Sequence, residues 1–281
     1  MSSAAPTLVA MTSIGLTFPP DQPPERLREV ALATERAGIP ELWLWEDCFS
    51  ESGVAPAASV LAWTQTLRVG VGLFPVPLRN VALTAMELAT LARLFPGRLL
   101  PGIGHGVLDW MEQVGAREAS PLTLLREYGT ALRRLLDGES VTTEGRYVTL
   151  RDVQLRWSPP PIPLLIGAEG PKTLALAGQI GDGLILVGSA LPERVAATIA
   201  VAQTARDEAG ITAPLDVVYF LSLPVTSDAA AVTAAIEPLM AGGVCRVAVC
   251  GLSEDGPPDG SERILDLLQV VAEVGSQLSS R

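Results

Sequence analysis

Residues 163–187, PLLIGAEGPKTLALAGQIGDGLILV, decide the fold class of this chain. The stretch opens with a short apolar run, Pro163–Ala168, which is typical of a strand buried on both faces. A helical pattern, Pro171–Ile180, follows and carries its proline in the first turn, where proline is tolerated. A second apolar run, Gly183–Val187, comes next. The stretch therefore predicts a strand, a helix and a second strand parallel to the first.

The same unit repeats along the chain on both sides of this stretch. Eight short apolar runs are each followed by a longer helical pattern, and eight such units in about 250 residues are typical of a (β/α)8 TIM barrel. A doubly wound open sheet is the alternative, but it usually has fewer strands. The predicted strands are Val9–Phe18, Glu41–Trp45, Leu67–Phe74, Arg98–Ile103, Pro163–Ala168, Gly183–Val187, Leu215–Leu221 and Val244–Val249.

One segment interrupts the alternation, between the fourth predicted helix, Pro121–Leu136, and the fifth predicted strand. Here Val141–Thr143 and Arg146–Thr149 flank the turn pair Glu144-Gly145, which predicts a short hairpin. The hairpin is either an insertion at the catalytic end of the barrel or a surface element with no role in catalysis. The sequence shows no second domain and no repeat other than the strand–helix unit, so residues 1–281 are predicted to form a single domain.

The composition excludes several classes of protein. Of 281 residues, 48% are hydrophobic and the net charge is −11, which argues against global disorder and against a nucleic-acid or anionic-membrane partner. No apolar run is long enough to span a bilayer, and no signal peptide is recognised. Three cysteines without a CxxC pair fit a reducing compartment, so we expect a cytoplasmic protein. A single histidine excludes a His-rich metal site, and no metal is expected.

In a TIM barrel the active site lies at the carboxyl ends of the strands, and that rule selects the candidate catalytic residues. His105 follows the fourth strand between two glycines, and it could donate a hydrogen bond or transfer a proton near neutral pH. A structural histidine is the alternative. Glu46 and Asp47 follow the second strand, either as an acid–base pair or as a solvated capping pair.

Two other features of these loops suggest a pocket for a flat, anionic ligand. Trp45, Phe74 and Trp110 fall near the same rim and could form its apolar floor. The segment GAEGPKT, residues 167–173, ends a strand and opens a helix, so its free amide groups could hold a phosphate, with Lys172 adding a charge. A plain tight turn is the alternative interpretation of that segment.

Four stretches in this order resemble the bacterial luciferase-like superfamily. They are AGIPELWLWED (37–47), LRVGVGLFPVPLRN (67–80), ATLARLFPGRLLPGIGHG (89–106) and PIPLLIGAEGPKTLALAGQIGDG (161–183). Members of that superfamily are TIM-barrel oxidoreductases that use FMN or the deazaflavin coenzyme F420. The resemblance implies a cofactor ring above Gly72-Leu73, where the family often has a non-prolyl cis peptide. The residues it implies for cofactor binding are Gly72, Leu73, Gly104, His105, Gly106, Gly167, Ala168, Glu169, Gly170, Lys172 and Thr173.

The chain departs from the family pattern at two places. Glu46-Asp47-Cys48 stands where many members carry an acidic residue followed by histidine, and Val107 stands where sugar-phosphate dehydrogenase relatives carry an acidic residue. Both departures argue against glucose-6-phosphate dehydrogenase activity.

The compact chain resembles the deazaflavin enzymes more than the longer FMN monooxygenases. We therefore expect an F420-dependent oxidoreductase that moves a hydride between the deazaflavin C5 and a small organic substrate, in the direction of C=C, C=N or C=O reduction. An FMN-dependent monooxygenase and a non-catalytic cofactor-binding barrel are the alternatives. Because the family is often dimeric, a homodimer is a further expectation.

Overall fold

The computed structural model describes residues 13–188, 192–253, 256–258 and 263–279, so the start of the first predicted strand, residues 9–12, lies outside the described residues. Eight parallel strands close into a barrel, which confirms the predicted fold class, and two further strands form an antiparallel hairpin. The strands are β1 (Ser13–Phe18), β2 (Glu41–Leu44), β3 (Arg68–Pro75), β4 (Leu99–Gly104), β5 (Val141–Glu144), β6 (Thr149–Val153), β7 (Leu165–Gly167), β8 (Gly183–Val187), β9 (Asp216–Pro224) and β10 (Arg246–Leu252). Strands β5 and β6 form the hairpin, and β10 pairs with β1 to close the barrel.

Helices surround the barrel, and local capping sets where several of them begin. Asn80 accepts a hydrogen bond from the amide of Ala82 at 2.9 Å, and Asp228 accepts one from Ala231 at 2.8 Å. The described helices are α1 (Leu27–Arg36), α2 (Val54–Trp63), α3 (Val81–Leu94), α4 (Leu108–Gln113), α5 (Pro121–Leu136), α6 (Pro171–Ile180), α7 (Pro192–Glu208), α8 (Ala229–Ala241) and α9 (Ile264–Ser279). Within the described ranges, no helix has the length and apolarity needed to cross a membrane.

Side chains fill the interior of the barrel. Trp43 is fully buried there and meets Phe220 edge-on, with ring centroids 5.5 Å apart. Gly70 makes room for the Trp43 indole, because a Cβ at that position would overlap the ring. Leu165 and Ile185 complete the same cluster. The interior is therefore a packed core, and a cavity opens at the carboxyl ends of the strands.

A buried ionic cluster closes the other end of the barrel. The Glu41 side chain is 0% exposed and pairs with Arg68 at 2.7 Å and with Arg246. It also accepts hydrogen bonds from Trp43 Nε1 at 3.0 Å and from Ser13 Oγ at 2.8 Å. One carboxylate thus joins the first residues of four strands, β1, β2, β3 and β10, and neighbouring charges compensate its burial.

The predicted hairpin lies between α5 and β7, as expected from the sequence. Glu127 on α5 accepts hydrogen bonds from the amides of Arg146, Tyr147 and Val148 at 2.8–3.0 Å, and this holds the tip of the hairpin against the helix. The Tyr147 hydroxyl accepts a hydrogen bond from the amide of Ser120 at 2.9 Å, just before α5, but no hairpin residue lines the cavity at the carboxyl end of the barrel. The structure therefore favours the surface hairpin over an insertion that takes part in the site.

Candidate active site

A cavity of about 670 Å³ opens at the carboxyl end of the barrel, where the strand-end rule places it. Its walls come from the loops after β2, β3, β4 and β7 and from the end of β8. The lining residues are Trp45, Glu46, Asp47, Gly72, Leu73, Pro75, His105, Gly106, Val107, Leu108, Trp110, Pro121, Gly167, Ala168, Glu169, Gly170, Thr173, Ile185 and Val187. Most of these are apolar or glycine, which suits a ring-bearing ligand.

Strand β3 is irregular where it reaches the cavity. Its register with β4 shifts between Val71 and Phe74, and the Gly72–Leu73 peptide bond is cis, as the family resemblance implies. After the shift, Leu73 points toward the cavity and Phe74 points outward into the core between barrel and helices. The prediction that Phe74 lines the pocket is therefore wrong.

Two of the predicted cofactor-binding glycines make room for Leu73. A Cβ at Gly104 would lie 2.5 Å from Leu73 Cδ2, and one at Gly167 would overlap the same atom. Gly104 is buried and is not among the lining residues, so the prediction that it contacts the ligand is wrong. Gly72 does line the cavity, but its missing side chain faces Phe220 Cζ, 2.6 Å from an added Cβ. Leu73 is thus held in place by the backbone around it.

His105 faces the cavity in a partly buried position. Its Nε2 lies 3.3 Å from Thr173 Oγ1, and its Nδ1 is buried without a hydrogen-bond partner in the described structure. Burial lowers the pKa of His105 below its usual value, and the carbonyl of Pro121 opposes that shift. The imidazole is therefore neutral at pH 7, and a neutral imidazole can either accept or donate a proton.

The two carboxylates after β2 have different surroundings. Glu46 is paired with Arg79 at 3.0 Å and accepts the amide of Gly53 at 2.6 Å, and Arg79 also pairs with Glu87. These donors hold Glu46 as part of the scaffold, which argues against the predicted acid–base role for it. Asp47 also lines the cavity, but no described residue forms an ion pair with it.

The surroundings of Asp47 disfavour the ionised form of its carboxyl group. Burial raises the pKa of Asp47 above its usual value, and the nearby charge of Asp21 adds to the shift. A carboxyl whose pKa is raised by folding costs stability in its charged form, and that cost disappears once the group is protonated.

Asp47→Asn is therefore expected to melt at a higher temperature than the wild type at about pH 8, with the difference shrinking as the pH falls toward about 4. Thermal unfolding across this pH range measures it. Glu29→Gln removes the same charge from the exposed surface of α1 and is the matched control. A less stable Asp47→Asn protein at about pH 8 would contradict this account of Asp47.

Two tryptophans line the cavity as predicted. Trp45 meets Phe220 at 5.8 Å between ring centroids, which packs its indole against the barrel core. Trp110 lies on α4, a short helix that the sequence did not predict. Both rings are partly buried, and both contribute apolar surface to the cavity lining.

The first turn of α6 forms the opposite wall. Its N-cap, Gly170, provides no side-chain cap, and Pro171 follows it without an amide hydrogen. The amides of Lys172 and Thr173 therefore lack intrahelical partners, as expected of the first residues of a helix. A Cβ at Gly170 would meet nothing within 4 Å, so the space before this turn is open. Lys172 itself is exposed and is not among the lining residues, so its predicted ligand contact would require its side chain to reach the rim.

Several lining residues were not predicted. Val107 and Leu108 lie at the start of α4, Ile185 lies in the middle of β8, and Val187 ends that strand. The strand-end rule could have selected Val187, because the strand Gly183–Val187 was itself predicted. Within the described residues, no group of three or more His, Cys, Asp or Glu side chains could hold a metal ion.

Comparison with known families assigns this chain to one of them. A family model described as luciferase-like monooxygenase matches residues 5–265. The chain belongs to the luciferase-like monooxygenase family. This confirms the resemblance found in the sequence.

The family member is similar to several curated proteins. The 5,10-methylenetetrahydromethanopterin reductase of Methanolobus tindarius is 27% identical over 230 residues, which cover 82% of this chain and 70% of that protein. The protein of the same name from Archaeoglobus fulgidus is 30% identical over 221 residues, covering 76% and 64%. An F420-dependent glucose-6-phosphate dehydrogenase of Kineococcus radiotolerans is 34% identical over 178 residues, covering 58% and 52%. The chain thus spans 52–70% of the length of these relatives.

Solved structures with the same fold include an F420-dependent secondary alcohol dehydrogenase in complex with an F420-acetone adduct. It superimposes with a TM-score of 0.83 at 20% identity, covering 94% of this chain and 98% of that chain. The monooxygenase RslO1 from Streptomyces bottropensis superimposes with a TM-score of 0.80 at 19% identity, covering 93% and 98%. At these identities the similarity supports the fold alone.

Proposed function

We propose that this family member is an F420-dependent oxidoreductase that transfers a hydride between a bound deazaflavin and a small organic substrate. One observation carries the proposal: an apolar cavity at the carboxyl end of the barrel has the uncapped start of α6 as one wall. The F420-dependent enzymes among its relatives favour the deazaflavin over FMN.

The residues present fit such a cofactor. Its ring would lie against Leu73, whose position the neighbouring glycines fix, and its phosphate would accept hydrogen bonds from the free amides of Lys172 and Thr173. The positive end of the α6 dipole and the Lys172 charge favour the same anionic group. When bound, the deazaflavin supplies hydride transfer at one ring carbon.

The chain itself supplies orientation, exclusion of water and a site for a proton. Leu73, Val107 and Trp110 present apolar surface to the cavity, which limits the access of water to the reacting atoms. His105 lines the cavity, and its imidazole is the first group there that can exchange a proton. Asp47 is the second group in the cavity that can exchange a proton.

The test is turnover with the reduced cofactor. The protein is mixed with reduced F420 and a panel of imines, enones, aldehydes and ketones, and the visible absorbance of the oxidised deazaflavin is followed. Oxidation that depends on both protein and substrate supports the proposal. Tight FMN binding with consumption of oxygen would instead favour a monooxygenase, and cofactor binding without turnover on any substrate would favour a non-catalytic barrel.

His105→Ala is expected to lower the rate of hydride transfer about 100-fold while changing the Kd for F420 less than about threefold. The reason is that the imidazole holds a proton at the cavity wall and contributes little area to it. Stopped-flow absorbance measures the rate, and His105→Gln, which keeps a hydrogen-bond donor, is expected to recover part of it. A variant as fast as the wild type at every pH would assign His105 to structure.

The expected homodimer and the cytoplasmic location stay predictions. Sedimentation of the purified protein measures the first of them directly.

A further inference from the structure

The charged side chains that line the cavity are all acidic. Among the described residues they are Glu46, Asp47 and Glu169, and no Arg or Lys is part of the lining. Arg79 neutralises Glu46 at 3.0 Å, and Glu169 is exposed at the turn before α6. Asp47 is therefore the carboxylate after β2 that lines the cavity without an ion-pair partner among the described residues.

No positive charge within the described structure balances Asp47. The charge that raises the pKa of Asp47, besides burial, is another carboxylate, Asp21, in the loop after β1. Glu51, whose backbone pairs with that of Asp47, is in turn affected by Glu25. None of these four carboxylates forms an ion pair with a described residue. A substrate that enters here meets carboxylates that no described Arg or Lys pairs with, and such a site favours a positively charged ligand.

Two tryptophan rings line the same cavity as Asp47. Trp45 comes two residues before Asp47, and Trp110 lines the cavity from α4. Indole is the side chain that attracts cations most strongly through its ring face, and a desolvated cation gains more from it than an exposed one. A carboxylate without a partner and two indoles are complementary to one class of ligand, an organic cation.

We infer that the substrate taken by this cavity is an organic cation, such as a protonated amine or an iminium ion, held by Asp47 with Trp45 and Trp110. The inference rests on the proposed function, because it takes the cavity as the substrate site. In this arrangement, two parts of the cavity bind groups of opposite charge. The α6 start takes the anionic part of the cofactor, and the Asp47 wall takes the cationic substrate.

Three probes of similar shape test this inference: benzylammonium, benzyl alcohol and benzoate. Their affinities are measured by calorimetry or ligand-observed NMR at neutral pH and low ionic strength, for the protein with and without F420. We expect the wild type to bind benzylammonium at least about tenfold more tightly than benzoate. In Asp47→Asn this preference is expected to fall to less than about threefold. Glu29→Gln, which has the same net charge as Asp47→Asn, is expected to retain the preference.

Each outcome decides between the hypotheses. Equal or tighter binding of benzoate, or the same loss of preference in Asp47→Asn and Glu29→Gln, overturns the inference, because the general acidity of the chain would then explain the result. F420 affinity is measured separately by its fluorescence. If F420 does not bind while the Asp47-dependent preference persists, the proposed function fails and the charge selection stands. If F420 binds and drives turnover without that preference, only the inference fails.

Discussion

Glu41→Gln is expected to lower the free energy of unfolding by about 3 kcal/mol, because removing one partner of a buried ionic cluster leaves the others uncompensated. The Glu41 side chain is 0% exposed and pairs with Arg68 and Arg246. The amide would keep the shape and a hydrogen bond to Trp43, but it would remove the only carboxylate that contacts both arginines among the described residues. Asp216 would remain as the partner of Arg246 alone.

Urea denaturation of the two proteins measures this loss. The matched control is Glu139→Gln, which removes the same charge from an exposed ion pair with Arg134. The Arg134 side chain is 39% exposed and the Glu139 side chain is 50% exposed. Exposed pairs contribute about 0–1 kcal/mol, so the control is expected to change stability by less than about 1 kcal/mol. Similar effects for the two variants would show that the cluster at the closed end of the barrel does not hold the strands together.

Thr173→Asp is expected to weaken F420 binding roughly 100-fold or more. The new carboxylate would lie in the first turn of α6, where it can take the free amides that the cofactor phosphate needs. It would also repel that phosphate, and two like charges about 4 Å apart cost about 4 kcal/mol at an effective dielectric constant of about 20. Titration followed by cofactor fluorescence measures the Kd.

Gln179→Glu is the control for this variant, because it adds the same charge near the far end of α6 on an exposed residue. It is expected to leave the Kd within about threefold, since solvent screens an exposed charge at that distance. Lys172 gives a second measurement: it is the only lysine in the chain, so bound F420 is expected to protect it from amine acylation. Equal weakening by both variants would mean that the cofactor does not use the α6 start.

The sequence predicts the barrel well because each repeat carries its own boundaries. The helices Val81–Leu94, Pro121–Leu136 and Pro171–Ile180 have the bounds that the pattern predicts, since an asparagine cap or a first-turn proline begins each one. The six-residue α4 was missed because so short a helix has no measurable periodicity. Because the carboxyl ends of the strands meet at one end of the barrel, most of the predicted site residues line one cavity.

The errors at the site come from contacts that a sequence does not contain. The irregularity in β3 changes the alternation, so Phe74 points outward although it ends a strand at the cavity. Gly104 lies in a glycine-rich strand end, which is typical of a ligand contact, but the Leu73 side chain fills the space beside it. Glu46 and Asp47 are adjacent and chemically alike, and only the position of Arg79, 33 residues away, distinguishes the paired carboxylate from the unpaired one.

Equilibrium titration of the wild-type protein with oxidised F420, with FMN as competitor, tests the central claim most directly. The account predicts saturable F420 binding at one site per chain, weaker binding of FMN, and loss of the F420 affinity in Thr173→Asp but not in Gln179→Glu. Tighter binding of FMN than of F420, or no binding of F420 to a folded protein, would contradict it.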